Sequence, residues 1–241
     1  RQRKYLITTN MKNFLTLFFS VILVSCSSQK DAKIDFGSNP AAGKYLDIND
    51  IRVYYETYGE GEPLLLLHGN GGSIESFVYQ IPELAKHSKV VDVDSRVQGR
   101  TTDSDREITY ALMAADMSEL IDKLGLGKVN VVGWSDGGNI GLELAYAHPE
   151  KVLKVVTIGA NFTNENFLAP PDSVVMDPDD PVSLNLPDLL RKMTTAASRL
   201  SPDTTRIPII SRKLEELMIK YPNFTPEQLG TIGVPFLIVA G

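Results

Sequence analysis

The 241-residue sequence has an ordinary globular composition, 43% hydrophobic, 22% charged and 8% aromatic, which excludes disordered and fibrous classes. Its formal net charge of -6 argues against nucleic-acid binding, which needs clustered Lys and Arg. One cysteine, Cys26, excludes an internal disulfide framework.

The position of Cys26 is informative. It follows a basic start, Met11-Lys12-Asn13, and an apolar run from Phe14 to Val24 broken only by Thr16 and Ser20. That is the order of a signal peptide: charged region, apolar region of about 7–15 residues, then small residues. A membrane span needs about 20 apolar residues, and this run is shorter. The ending Leu23-Val24-Ser25-Cys26 resembles the bacterial lipoprotein box. The resemblance implies that Cys26 is lipidated, becomes the mature N-terminus and anchors the protein to a membrane of the bacterial cell envelope. Residues 1–25 are then leader and signal peptide, with 1–10 upstream of the start at Met11. Residues 26–43, polar as far as about Pro40, read as a flexible tether.

The folded part is expected from Lys44. Strands at Lys44–Ile48 and Ile51–Thr57 flank Asn49-Asp50, a tight-turn dipeptide, and Ile51, Val53 and Tyr55 alternate with polar neighbours. Leu64–Leu67 reads as a buried strand, Ile74–Lys86 as a helix and Val90–Val93 as a strand. A helix at Tyr110–Leu124, ended by Gly125, precedes a buried strand at Val129–Val132. A helix from Asp136 to Ala147 and a strand at Val152–Ile158 follow. Alternating strands and helices predict an α/β fold, a doubly wound, mostly parallel sheet, with its core over 44–161. Residues 162–230 break the rhythm with Pro-rich segments and two helical patterns, Pro187–Leu200 and Ile209–Tyr221. They read as a helical cap shaping a substrate pocket. The last core strand falls in 231–241, at Val234–Ala240.

Two motifs carry chemistry. Gly133-Trp134-Ser135-Asp136-Gly137-Gly138 lies between a buried strand and a helix. A sharp turn there holds the serine hydroxyl outward, glycines at 133 and 137 leave it room, and the helix N-terminus supplies a positive dipole end. Leu64-Leu65-Leu66-Leu67-His68-Gly69-Asn70-Gly71-Gly72 is the second, and it fails as a dinucleotide loop because Ile74 stands where the third Gly is needed. Together, in this order, they resemble the α/β-hydrolase family over about Lys44 to Gly241. The resemblance implies Ser135 as nucleophile and the backbone N–H groups of Asn70 and Asp136 as oxyanion hole. It implies supporting roles for His68, Gly69, Gly133, Trp134 and Gly137, and neither cofactor nor metal. Losing one oxyanion donor typically costs about 3–4 kcal/mol of barrier. Asp94-Ser95-Arg96-Val97-Gln98-Gly99-Arg100-Thr101 resembles the family's D-x-R-G-x-G-x-S loop, with Val97 where Gly is usual and Arg96 expected in an ion pair. That departure predicts a loop of different build.

A serine hydroxyl needs a base. His148 ends the helix begun at Ser135, roughly 20 Å away at about 1.5 Å per residue. His87 precedes a strand and lies at that same far end, and His68 braces the oxyanion loop. The family order is Ser, then acid, then His. The acid and His are therefore expected beyond Gly241, and the chain reads as a fragment that turns over esters poorly and exposes a sheet edge. The expected activity is hydrolysis of a small-molecule ester, lactone or related acyl substrate through an acyl-Ser135 intermediate. The Asp136 carboxylate, in a helix's first turn, is more often a dipole stabiliser than a partner for a cationic substrate group. The alternatives are a non-catalytic envelope binding lipoprotein, and acyl transfer or perhydrolysis by the same serine.

Overall fold

In the computed structural model, which describes residues 34–164 and 199–239, the four-leucine run lies at the centre of a seven-stranded sheet. Leu65, Leu66 and Leu67 are fully buried and Leu64 nearly so. Leu65 and Leu67 pack in one core cluster, with Met113, Leu120 and Ile140; Leu64 and Leu66 pack in another, with Ile74, Phe77 and Ile81. A strand covered on both faces has no polar face, which explains a continuous apolar run in place of alternation. Each buried leucine contributes about 1.5–3 kcal/mol.

The strands are β1 (Gly43–Ile48), β2 (Ile51–Tyr58), β3 (Glu62–Leu67), β4 (Ser88–Val93), β5 (Val129–Trp134), β6 (Val152–Ile158) and β7 (Phe236–Val239). Their order is β1-β2-β4-β3-β5-β6-β7. The β1–β2 and β2–β4 pairs are antiparallel; every later pair is parallel. The expected strands are all present. The β1–β2 turn is at Asn49, which takes a φ of +49°, a conformation asparagine tolerates. Between β3 and β5 the winding reverses: the chain leaves β3 for β4 on one side and returns to β5 on the other. The crevice at such a switch point, past the carboxyl ends of the strands, is where ligands bind in open α/β sheets. The loop at His68 and the turn at Ser135 both open there.

Helices α1 (Ile81–Leu84), α2 (Tyr110–Lys123) and α3 (Asp136–Ala147) connect the strands. The Thr109 hydroxyl caps α2 by accepting from the Leu112 N–H at 3.0 Å. The helix expected over 74–86 is instead a 3₁₀ turn, Ile74–Phe77, and the single turn α1. Pro82 explains the break, since it cannot donate to the carbonyl four residues back and its ring clashes with a preceding turn. Helices α4 (Ile207–Lys220) and α5 (Pro226–Gly230) fall within residues 162–230, the range expected for a cap. The pattern at Pro187–Leu200 lies outside the described residues except for Arg199 and Leu200, which are helical. Cys26 and residues 1–25 lie outside them as well. No helix among the described residues is long and apolar enough to cross a membrane.

The compact unit begins at Asp35, so the last part of the expected tether is fixed. Buried Glu56 accepts from the N–H groups of Gly37 (2.8 Å) and Asn39 (3.1 Å) and from the hydroxyls of Tyr54 (2.6 Å) and Tyr58. Arg100 donates to the Gly37 carbonyl and the Ser38 hydroxyl. At the other side of the sheet, β7 leaves Phe236, Leu237, Ile238 and Val239 exposed.

Two acids on or after β4 shape the pH response. Burial pushes Asp94 up to about 7, against hydrogen bonds from the Arg100 and Ile74 N–H groups. Burial, with Asp94 and Glu56 nearby, pushes Asp92 well above the carboxylate range, and neither Asp92 oxygen has a hydrogen-bond partner among the described residues. An unfolded carboxylate titrates near 3.9, so the folded state holds the extra protons above about pH 4. Their stabilisation is complete below that pH and is lost as pH rises through the folded values. Asp92→Asn is therefore expected to raise the melting temperature at pH 8 and to leave it unchanged at pH 4. A difference constant across that range would contradict the burial argument.

Candidate active site

Ser135 ends β5 and caps α3 with φ +53° and ψ -120°. A side chain in that region costs on the order of 1–3 kcal/mol and persists only where its surroundings impose it. The surroundings are specific. The Ser135 N–H donates to the Ile158 carbonyl at 2.8 Å, and the Ser135 carbonyl accepts from Gly138 N–H at 2.8 Å. The two motif glycines explain the fit: a methyl on Gly133 would strike the Gly137 carbonyl, and one on Gly137 would strike the Leu67 carbonyl. Only glycines let α3 press against β3 and β5 so closely.

The second motif comes to the same place. A methyl on Gly69 would lie 3.1 Å from the Ser135 Cβ, so the loop after β3 runs directly beside the serine. His68 is fully buried. Its Nε2 accepts from the Ser95 N–H at 3.0 Å, which leaves the proton on Nδ1, 2.8 Å from the Gly69 carbonyl. Burial lowers this imidazole to about 4, so it is neutral and both nitrogens are engaged. It braces the loop and has no free lone pair to act as base. His148 follows α3 at its far end, and His87 precedes β4 at the opposite edge of the sheet.

Asp136 faces inward. Its carboxylate accepts from the Tyr110 hydroxyl at 2.8 Å and from the Asn70 Nδ2 at 2.9 Å, and it is buried. Burial raises its pKa, against those two hydrogen bonds. The same Asn70 amide reaches the Leu214 carbonyl at 3.4 Å. Asp136 thus ties the Asn70 loop to α2, and Asn70 in turn ties it to α4, a structural use in place of a cationic-substrate contact. Trp134 is half-buried against the Leu66 cluster.

One cavity adjoins the serine and a second lies beside the Asn70 loop. The first, of about 170 Å³, is lined by Ser135, Asp136, Tyr110, Ala160, Asn161, Met218 and Tyr221 among others. The second, of about 160 Å³, lies between α4 and the Asn70 loop, and Met218 lines both. Tyr110, Asn161, Met218 and Tyr221 carry no motif, and only their convergence in space marks them. Helix α4 is held over the site by Asp103, whose nearly buried carboxylate meets Arg206 at 2.6 Å and Lys213 at 2.8 Å. Among the described residues no group of three or more His, Cys, Asp or Glu is placed to hold a metal ion.

Arg96 sits in the ion pair expected of it, with Asp116 at 2.7 Å and Asp50 at 2.8 Å. The loop that carries it keeps a left-handed residue at the departed position: Val97 has φ +63°. A left-handed angle is strained for a β-branched residue.

Ser135 thus sits on a strained strand–helix turn, beside a Gly-rich loop at the switch point of a doubly wound α/β sheet. A family model described as "alpha/beta hydrolase fold" matches residues 62–206, more than half of the chain. The chain belongs to that family. A "Putative carbamate hydrolase RutD" of Caulobacter vibrioides is 40% identical over 114 residues, 44% of this chain and 41% of that protein. "Epoxide hydrolase 4" of Homo sapiens is 35% identical over 137 residues, 54% of this chain and 37% of that protein. The chain thus spans less than half of these curated relatives. The enol-lactonase of Burkholderia xenovorans LB400 shares the fold, with TM-score 0.64, 18% identity and coverage of 82% of this chain and 81% of that one.

The elbow strain is measurable. Ser135→Gly is expected to exceed Ser135→Ala in folding stability by about 1–2 kcal/mol in urea unfolding, because only glycine relaxes at that φ. Equal stability, or the reverse order, would show an unstrained turn.

Proposed function

We propose that this chain carries the nucleophile of a serine hydrolase that cleaves a carboxylic ester, lactone or related acyl bond through an acyl-Ser135 intermediate. The observation that carries this reading is the Ser135 turn, strained and set at the N-terminus of α3 with the Gly69–Asn70 loop against it. In the proposed step the Ser135 Oγ bonds to the carbonyl carbon and gives up its proton to a base. The oxygen charge settles toward the backbone N–H groups of Asn70 and Asp136 and the positive end of α3. The leaving group departs with a proton, and water then releases the acid.

A serine favours acyl chemistry over epoxide opening. Attack on an epoxide by a hydroxyl would leave an ether, which water does not cleave, whereas a carbonyl yields a hydrolysable ester. The carbamate relative's substrate is likewise a carbonyl compound. None of the three histidines is suited as base, since His68 is saturated and neutral and the other two lie at the far edge. That same observation supports the second reading, an envelope lipoprotein that binds a ligand without turning it over. Acyl transfer would differ only in the group that attacks the acyl-serine.

Turnover of short p-nitrophenyl esters by the product of the full reading frame separates the readings. Ser135→Ala is expected to lower kcat by at least about 10³-fold; equal turnover in both proteins would remove Ser135 from the mechanism. Added alcohol that is converted to a new ester would identify acyl transfer.

We also propose that Cys26 is lipidated and holds the domain at the bacterial envelope, on the strength of the Leu23-Val24-Ser25-Cys26 sequence. One acyl chain gives only marginal binding, so stable anchoring requires more than one. Cys26→Ala is expected to shift the protein from the membrane pellet to the supernatant. An unchanged distribution would end this proposal.

A further inference from the structure

In the loop from Asp94 to Thr101 most charged and polar side chains have a polar partner, the Ser95 hydroxyl and Gln98 Nε2 excepted among the described residues. Asp94 accepts from Ile74 and Arg100, each at 2.8 Å, and Arg96 pairs with Asp116 and Asp50. Gln98 accepts from the Gly71 N–H at 2.6 Å, and the Thr101 hydroxyl donates to the Asp94 carbonyl at 2.6 Å. Val97 has no polar contact to make, yet it stands at φ +63°. Left-handed backbone is a genuine outlier for a β-branched residue, and glycine would relax it. Gly99, two residues on, shows the same loop using glycine for a φ of +56°.

The Val97 side chain points somewhere definite. It is buried and joins the main core cluster on one side. On the other it bounds the cavity of about 160 Å³ under α4. Ile207, Ile210, Leu214 and Met218 line the opposite wall; their spacing of three, four and four residues puts them on one helical face. Glu215 is the only charged residue lining this cavity among the described residues. An apolar cavity near 150 Å³ holds a benzene-sized group, about six carbons. Met218 lies between it and the cavity that contains Ser135, and Asn70, whose N–H is the proposed oxyanion donor, lines it directly.

We propose that Val97 is a specificity-determining residue whose side chain forms the inner wall of this cavity, limiting the substrate group that enters it to about six carbons. As a substrate limit it rests on the hydrolase reading; as a limit on what the cavity holds it does not. Glycine at this position would relieve the strain and remove the wall.

The test uses the Ser135→Ala protein, so that binding is read without turnover. Saturation-transfer NMR follows 1-alkanols of four to twelve carbons. With Val97, each added methylene should tighten binding roughly fourfold up to about six carbons and then stop. Val97→Gly should extend that rise by two or three carbons, and Val97→Ile should shorten it by about one, each on the order of the atoms changed. Val97→Gly should also melt no lower than Val97→Ala, since it alone relieves the strain. The same length limit in all three proteins would overturn the proposal. A Val97→Gly variant that fails to fold, or melts well below Val97→Ala, would overturn the strain argument, and the isoleucine variant still decides the size limit. If the limit moves but the Ser135-containing protein hydrolyses no ester, the cavity wall is established and the hydrolase reading fails by itself.

Discussion

The site depends on one contact, the approach of α3 to β3 at Gly137. A methyl there would overlap the Leu67 carbonyl, and a methyl on Gly133 would overlap Gly137 itself. With both absent, α3 starts directly at the end of β5, and Ser135 takes the strained conformation that turns strand into helix. The same closeness places the loop after β3 beside the serine, with Gly69 in contact. The sheet's winding reverses between these two strands, so the contact falls at the natural crevice of the fold.

Around that contact the structure is fixed by buried polar groups that are almost all engaged. His68 joins Ser95 to Gly69, and Asp136 joins Tyr110 to Asn70. Arg96 is shared by Asp116 and Asp50, and Asp103 collects Arg206 and Lys213. Such groups are costly to leave unmade, which gives the loops of the site discrete positions. Among the described residues the exceptions are both Asp92 oxygens, the Ser95 hydroxyl, Gln98 Nε2 and Asn139 Oδ1, and burial keeps Asp92 neutral. Two non-glycine residues near the site, Ser135 and Val97, sit at left-handed backbone angles. One presents the proposed nucleophile and the other borders a cavity.

Much of this was legible in the sequence, for physical reasons that differ by element. Leu64–Leu67 and Val129–Val132 announce buried strands because both faces of a parallel sheet are covered. Gly133 to Gly137 announces the turn because its steric demand is local. The helix over 74–86 was misread because apolar spacing outweighed Pro82, which interrupts it. The docking of Gly37–Asn39 on Glu56 was invisible, since a polar, Ser- and Asn-rich segment reads as tether whether or not an acceptor waits for its N–H groups. Tyr110, Asn161 and Met218 could not be found either. They converge from distant parts of the chain, and long-range packing leaves no spacing to read. Val97 was visible as a departure from a motif, but its left-handed angle and its cavity were not.

The central claim is that Ser135 is held as a reactive nucleophile. The direct measurement is to treat the product of the full reading frame with an alkyl fluorophosphonate and map the adduct by peptide mass spectrometry. The account predicts a single adduct on the peptide containing Ser135, absent from Ser135→Ala. An unmodified Ser135 peptide under conditions that label other serine hydrolases would contradict it, and would leave the fold as a binding scaffold.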